Sequence, residues 1–223
     1  MAVAIVLRAQ WSARTPNRRH QIATPTPRLW IHHTAGSERG AAGMRSIQNG
    51  HMDDKGYADI GYSFVVDNAD GTIFEGRGAG IEGAHTFGDN TKSHAICVMG
   101  NFENIQPSTQ AIASVVALAR HGREMGWWVP TCHGHREAPR ASTACPGANL
   151  FARLGEIRTK VGGPGGTPAT VPTPEEADVT EEELRAVVRE EVKNVLDSQA
   201  RRVQGIVSWE RYLEVLLEAA RKD

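Results

Sequence analysis

The strongest constraint on this chain is a break in its composition near residue 162. Residues 162–174 read GGPGGTPATVPTP, in which the glycines give flexibility and the prolines extend the backbone. A segment of this kind cannot build a packed core, so it predicts a linker between two units. We therefore expect a main domain at residues 1–161, a linker at 162–174 and a C-terminal segment at 175–223.

The composition excludes several classes of protein. Among 223 residues, 40% are hydrophobic and 23% are charged, which is typical of a soluble globular protein. No apolar window approaches the roughly 18 residues that a membrane span needs, so no span is predicted. A net charge of −1 argues against a nucleic-acid partner, because proteins that bind nucleic acids usually carry a basic surface. The charge is unevenly divided, with 17 Lys and Arg against 13 Asp and Glu in residues 1–174, and 8 against 13 in residues 175–223.

The C-terminal segment is predicted to be helical. It contains almost no Gly or Pro, and its apolar residues recur at the three-to-four spacing of an amphipathic helix, for example Leu184, Val188, Val192 and Val195. Thr180 followed by Glu183 resembles a capping box at its start. An unpartnered apolar stripe of this kind predicts self-association through residues 180–220 or docking onto a partner.

Strand and helix signals alternate through the main domain. The segments with strand-like patterns are Arg28–Thr34, Gly61–Asp67, Gly71–Glu75, Ala95–Met99 and Trp127–Cys132. Those with helical spacing are 37–52, Ser108–Met125 and Ala148–Val161. The pair Asp70-Gly71 predicts a hairpin between two of the strands. The alternation predicts an α/β fold, with a mixed central β-sheet flanked by helices, followed by the helical C-terminal segment.

Two pairs of histidines and one cysteine suggest a metal site. His32 and His33 lie near the end of one predicted strand, His133 and His135 follow another, and Cys145 lies in a loop. Imidazole nitrogen and thiolate sulfur suit zinc, and a catalytic zinc keeps three protein ligands and one open position. Side chains alternate along a strand, so one metal cannot easily take both His32 and His33. Spacing alone leaves the alternative open that the histidines are only hydrogen-bonded and the cysteine is a small buried hydrophobe.

A series of short motifs lies in the same region of the chain. In order they are Ala9–Arg14 (AQWSAR), Ile31–Thr34 (IHHT), Gly61–Phe64 (GYSF), Asp70–Thr72 with Glu75–Arg77, Gly83–Thr86 (GAHT), Gly100–Phe102, Gly134–Glu137 (GHRE) and Thr143–Gly147 (TACPG). Together they resemble the zinc-dependent N-acetylmuramoyl-L-alanine amidase family, which includes phage lysins, bacterial autolysins and peptidoglycan recognition proteins. The resemblance runs from about Arg8 to about Leu154 and covers the main domain.

The resemblance implies a role for individual residues. Matched position by position, the zinc ligands of the family fall on His32, His135 and Cys145. The catalytic tyrosine of the family falls on Tyr62. Thr143 occupies the position two residues before the cysteine, where phage members often have lysine and recognition proteins often have threonine, so a hydroxyl replaces a cation as the predicted oxyanion partner.

The implied activity is hydrolysis of the amide bond between N-acetylmuramic acid and L-alanine in peptidoglycan. Zinc makes hydroxide available near neutral pH and polarises the carbonyl, while Tyr62 and Thr143 would stabilise the oxyanion by hydrogen bonding. His85 and Asn90 fall in the groove-lining segment of the family and are the predicted substrate contacts. A peptidoglycan-binding module without turnover is the alternative from another functional class.

The biological setting is also an expectation from the resemblance. No secretory signal is visible at the N-terminus. This fits a phage endolysin, which accumulates in the host cytoplasm and then acts at the bacterial cell wall to lyse the host. A cytoplasmic amidase that recycles muropeptides is the alternative, but such enzymes tend to be single domains. For the C-terminal segment, wall targeting is a second interpretation, which its negative charge disfavours because wall teichoic acids are also anionic.

Overall fold

The computed structural model of the chain describes residues 3–129 and 131–162. The linker beyond Gly162 and the C-terminal segment, with its predicted helix and self-association, lie outside the described residues and stay predictions. Within the described part of the chain, none of the helices is long and apolar enough to cross a membrane.

A five-stranded mixed sheet forms the centre of the main domain. Its strands are β1 (Arg28–His33), β2 (Phe64–Val66), β3 (Ile73–Glu75), β4 (Ser93–Val98) and β5 (Cys132–Gly134). They lie in the order β3-β2-β4-β1-β5, and β3 alone runs antiparallel to its neighbour. Gly71 adopts a left-handed φ of 78° between β2 and β3, where the hairpin was expected. The mixed sheet and the hairpin are thus confirmed.

In the part of the chain that the structure describes, four α-helices pack around the sheet. They are α1 (Gly40–Asn49), which continues as a π-helical turn (Gly50–Asp54), α2 (Thr109–Glu124), α3 (Ala148–Ala152) and α4 (Leu154–Val161). The start of α2 is capped as the sequence predicts, because the side chain of Ser108 accepts a hydrogen bond of 3.0 Å from the N–H of Ala111.

The two faces of the sheet carry separate hydrophobic clusters. Leu29 and Ile31 of β1 pack in the cluster that includes the apolar residues of α2 and α4. His32 pairs in register with Cys97 of β4, and Cys97 packs in the other cluster, together with Met44 of α1. Because side chains of paired residues point to the same face, His32 faces the α1 side of the sheet. The alternation expected along β1 is confirmed.

Two predicted elements differ from the structure. The strand expected at Trp127–Cys132 is wrong in position, since β5 begins only at Cys132. Trp128 forms an isolated parallel bridge with Thr26 instead of a continuous strand. Its side chain is 1% exposed, and the indole N–H donates a 2.9 Å hydrogen bond to the carbonyl of Ala119 in α2, so this segment is held against a helix as well as against the sheet. The single helix expected at Ala148–Val161 is divided at Arg153 into α3 and α4.

A buried histidine on β4 links stability to pH. His94 Nδ1 lies 2.8 Å from the hydroxyl of Thr26, and its Nε2 accepts a 2.9 Å hydrogen bond from the N–H of Gly80. Burial lowers the pKa of His94 to about 4, whereas an unfolded chain has about 6.5. The unfolded state therefore takes up the proton first as pH falls. The neutral, buried His94 therefore contributes its full share to the free energy of unfolding above about pH 6.5, and this contribution is lost as the pH falls toward 4.

We expect His94→Gln to unfold in urea with a weaker pH dependence than the wild type. Protonation linked to His94 should cost the wild type about 2 kcal/mol between pH 7 and pH 5, and the variant should not show this loss. The control is His20→Gln, because His20 is exposed. Urea unfolding at both pH values measures the difference, and equal pH slopes in His94→Gln and the wild type would contradict the prediction.

Candidate metal centre

The carboxyl ends of two parallel strands bring two histidines together. His32 lies at the end of β1, and the pairing of Ile31 with Gly134 of β5 places His135 beside it. His135 begins a short 3-10 turn (His135–Glu137) directly after the strand. Ligands of open α/β sheets bind at this edge, so the topology positions the two imidazoles where a site is expected.

Cys145 completes a group of three side chains that could hold a metal ion. The ligand atoms of His32, His135 and Cys145 all lie within 4.8 Å of one another, and this is the one such group among the described residues. His32 Nδ1 lies 3.5 Å from Cys145 Sγ. Bond lengths of a tetrahedral zinc site predict about 3.6 Å between a nitrogen and a sulfur ligand. The donor set and the spacing therefore fit zinc with one open position.

His33 takes no part in this group. Its ring Nδ1 accepts a 3.3 Å hydrogen bond from the N–H of Phe102, while its backbone N–H donates to Cys145 Sγ at 3.4 Å. The opposite faces of β1 thus separate the two histidines as the alternation requires, and His33 supports the cysteine only through its backbone.

Contacts between the two ligand-bearing segments hold the cysteine in place. A Cβ added to Gly134 would lie 3.1 Å from Cδ of Pro146, so the absent side chain lets the cysteine loop approach β5 closely. The backbone N–H of Arg136 donates to the carbonyl of Cys145 at 2.9 Å, and its guanidinium donates to the carbonyl of Ala144.

Glu103 adds a link from a third segment. One of its carboxylate oxygens accepts from the Arg136 guanidinium at 3.2 Å and from the N–H of Ala148 at 3.0 Å. A single carboxylate therefore ties the chain after His135 to the chain after Cys145. This network limits the separation of the two ligands.

The electrostatics favour neutral imidazoles. Burial, together with the neighbouring histidines, holds the pKa of His32 well below its usual range, and burial also lowers the pKa of His135. Burial raises the pKa of the Cys145 thiol to about 11. Neutral imidazole is the form that binds a metal, and a thiol must release its proton when it becomes a ligand.

The two predicted hydroxyl donors, Tyr62 and Thr143, are neighbours of His32 and Cys145, respectively. The ring centroids of Tyr62 and His32 are 5.4 Å apart. Burial and the nearby sulfur atoms raise the pKa of Tyr62 well above its usual range, so its phenol keeps the proton that it can donate. Thr143 is exposed, and its hydroxyl oxygen accepts a 3.1 Å hydrogen bond from the N–H of Cys145, which leaves its own O–H free to donate.

The two predicted substrate contacts lie in one loop before β4. The ring of His85 is buried edge-on against His32, with 5.4 Å between ring centroids. The Oδ1 atom of Asn90 accepts hydrogen bonds of 2.9 Å from the N–H groups of His85 and Thr86. Both side chains therefore shape the loop beside His32, and contact with a substrate stays a prediction for each.

Sequence reasoning missed three residues that support the site. They are Thr86, whose hydroxyl lies 3.3 Å from His32 Nε2, and the linked pair Arg136 and Glu103. Thr86 and Arg136 directly follow the motif histidines His85 and His135 in the sequence, and this position was the signal that could have identified them. For Glu103 the sequence offered a weaker signal, its position directly after the Gly100–Phe102 motif.

Comparison with known proteins agrees with this geometry. The fold and the site place the chain in the class of peptidoglycan amidases and peptidoglycan-recognition proteins. The chain belongs to the N-acetylmuramoyl-L-alanine amidase family, whose model matches residues 23–148.

Relatives come from both groups of that class. Peptidoglycan-recognition protein SC2 of Drosophila simulans is 35% identical, over 71% of this chain and 87% of that protein. The N-acetylmuramoyl-L-alanine amidase of Homo sapiens is 37% identical, over 68% of this chain and 28% of that protein. The structure of peptidoglycan recognition protein-LE in complex with tracheal cytotoxin has a TM-score of 0.64 at 30% identity and covers 69% of this chain and 93% of that chain.

Proposed function

We propose that this protein is a zinc-dependent amidase that cleaves the bond between N-acetylmuramic acid and L-alanine in peptidoglycan. The observation that carries the proposal is the group of His32, His135 and Cys145, whose ligand atoms lie within 4.8 Å of one another at the carboxyl edge of the sheet. The amidase relative from Homo sapiens and the structure of a relative with a bound peptidoglycan fragment support the same substrate class.

The residues of the chain divide the work of the reaction. His32, His135 and Cys145 would hold the zinc ion, which when bound supplies an activated water and polarises the amide carbonyl. Tyr62 donates a hydrogen bond from its protonated phenol to the oxygen on which negative charge develops. Thr143 is the second donor proposed for that oxygen.

A peptidoglycan-binding module without turnover is the second candidate. Relatives named for recognition of peptidoglycan favour it. The complete set of two imidazoles and one thiol argues for turnover, because binding alone does not require three zinc ligands around an open position.

The deciding experiment measures new L-alanine amino termini released from purified peptidoglycan. The wild type loaded with zinc should release them, and His135→Ala should abolish release because it removes a ligand. The control is His133→Ala, two residues away on β5 and outside the ligand group. Wild-type binding to peptidoglycan without new termini would establish the binding module, and full activity of His135→Ala would contradict the metal site.

The biological setting forms a separate part of the proposal. We propose a phage endolysin that accumulates in the host cytoplasm and acts at the cell wall. The linker at 162–174 and the segment after it support this role, because recycling amidases of the family tend to be single domains. The relatives compared above are animal proteins and give no support for a phage role. The support for that role therefore comes from the sequence alone. The same assay, run on intact walls and on soluble muropeptides, separates the two roles. An endolysin should release L-alanine amino termini from intact walls, whereas a recycling enzyme should release them only from soluble muropeptides.

Self-association through residues 180–220 completes the proposal for the C-terminal segment. Its support is the amphipathic spacing of the apolar residues. An isolated helix with this spacing would leave its apolar face in water, whereas association of two copies would bury that face. The mass of the full chain in solution tests it directly, and a single copy at all concentrations would exclude it.

A further inference from the structure

A row of three hydrogen-bonded, buried polar side chains begins at His32 and extends away from His135 and Cys145. Its members are His32, Thr86 and His85, which are 2%, 1% and 9% exposed. The hydroxyl oxygen of Thr86 lies 3.3 Å from His32 Nε2 and 3.1 Å from His85 Nδ1. The threonine therefore connects the two rings with one hydroxyl group.

The two nitrogens of His32 have different surroundings. Nδ1 faces Cys145 Sγ at 3.5 Å, on the side of the proposed zinc, whereas Nε2 faces Thr86. A neutral imidazole carries one proton, so Nδ1 can bind a metal only when the proton is on Nε2. In that tautomer the oxygen of Thr86 accepts the Nε2–H, and the hydroxyl hydrogen of Thr86 remains for another acceptor.

His85 supplies that acceptor. Its Nδ1 is within hydrogen-bond distance of the Thr86 hydroxyl, and its Nε2 has no hydrogen-bond partner among the described residues. If Nδ1 of His32 binds the metal, the hydrogen bonds therefore run from His32 through Thr86 to His85. The reverse direction would place the proton of His32 on Nδ1 and block the metal.

The backbone holds Thr86 at this position. Its N–H donates to Asn90 Oδ1 at 2.9 Å, and its carbonyl accepts from the N–H of Asp89 at 3.0 Å. The hydroxyl is therefore presented by an anchored loop, and little conformational freedom is lost when it meets the imidazole.

We propose that Thr86 is a positioning residue that holds the ring of His32 in the tautomer with Nδ1 free for zinc. The inference rests on the zinc site of the proposed function. A partner of this kind commonly contributes 10-fold to 100-fold to the metal affinity of a site. Its loss would leave the Nε2–H buried without an acceptor.

The test compares two substitutions of nearly unchanged size. Thr86→Val removes the hydroxyl and keeps the shape, and we expect its zinc dissociation constant to rise by about 10-fold to 100-fold. Thr86→Ser keeps the hydroxyl and should stay within about threefold of the wild type. The affinities are measured by competition with a chromophoric chelator.

The chain offers a matched control in Thr26. This threonine is also 1% exposed, and its hydroxyl lies 2.8 Å from a histidine ring nitrogen, that of His94, outside the ligand group. Thr26→Val should lower stability and leave zinc affinity unchanged. Equal losses of zinc affinity in Thr26→Val and Thr86→Val would overturn the inference, because they would reflect general loosening of the domain.

The protonation of His32 gives a second, independent readout. Nitrogen-15 NMR of zinc-loaded wild type should show the proton on Nε2 and the metal on Nδ1. A proton on Nδ1, or zinc affinity in Thr86→Val equal to the wild type, would overturn the inference and leave the proposed amidase intact. Wild-type protein that binds no zinc would overturn both the inference and the proposed function, and among these measurements only this outcome contradicts the proposed function.

Discussion

Replacing Cys145 with serine is expected to remove zinc from the purified protein and with it the amidase activity. The wild type should carry about one zinc per chain, since the three ligand atoms lie within 4.8 Å of one another. A serine hydroxyl is a harder ligand than a thiolate and does not ionise near neutral pH, so it cannot replace the sulfur. The loss of activity should exceed the roughly 10-fold to 100-fold decrease that is typical when a residue hydrogen-bonded to a metal ligand is removed.

Elemental analysis of wild type and variant, purified with zinc in the medium, measures the first effect. Release of L-alanine amino termini measures the second. The matched control is Cys132→Ala, because Cys132 is a buried cysteine of β5 outside the ligand group and should leave zinc content unchanged. Zinc retained at full stoichiometry in Cys145→Ser would exclude this cysteine as a ligand.

Gly122→Ala is expected to destabilise the domain strongly, although alanine is the better helix former. Gly122 lies in α2, and a Cβ at this position would lie 2.0 Å from Cζ2 of Trp128. The indole cannot move away freely, because its N–H is bonded to the carbonyl of Ala119 at 2.9 Å. Overpacking against a fixed ring should cost about 3 kcal/mol of unfolding free energy, more than the helix propensity of alanine contributes.

Gly155→Ala provides the opposite case in α4. An added Cβ there meets nothing within 4 Å, so this variant should be about as stable as the wild type or more stable by about 0.5 kcal/mol. Urea unfolding of both variants beside the wild type checks the pair. A Gly122→Ala protein as stable as the wild type would show that Trp128 moves aside without cost.

The local features of this fold could be predicted from the sequence because they depend on residues that are neighbours along the chain. Alternation along β1 separated Leu29 and Ile31 from His32, and the structure places them on the two sides that the pattern predicts. The start of α2 at Ser108 followed from the capping preference of serine. The strand predicted at Trp127–Cys132 is wrong in position because strand propensity is also a local property. The position of Trp128 depends on its hydrogen bond to α2, which the local sequence does not contain.

The sequence by itself determined the α/β class, and the resemblance of its ordered motifs to the amidase family pointed to the three residues that the structure brings within 4.8 Å of one another. Residue type and spacing alone left the site open, because it is the fold that delivers strand ends and loops to one edge of a parallel sheet. Only the tertiary structure decided which groups surround them. Thr86 meets His32 across 54 positions of the chain, and Glu103 meets Arg136 across 33. Such contacts arise when distant segments pack together, and no local pattern encodes them.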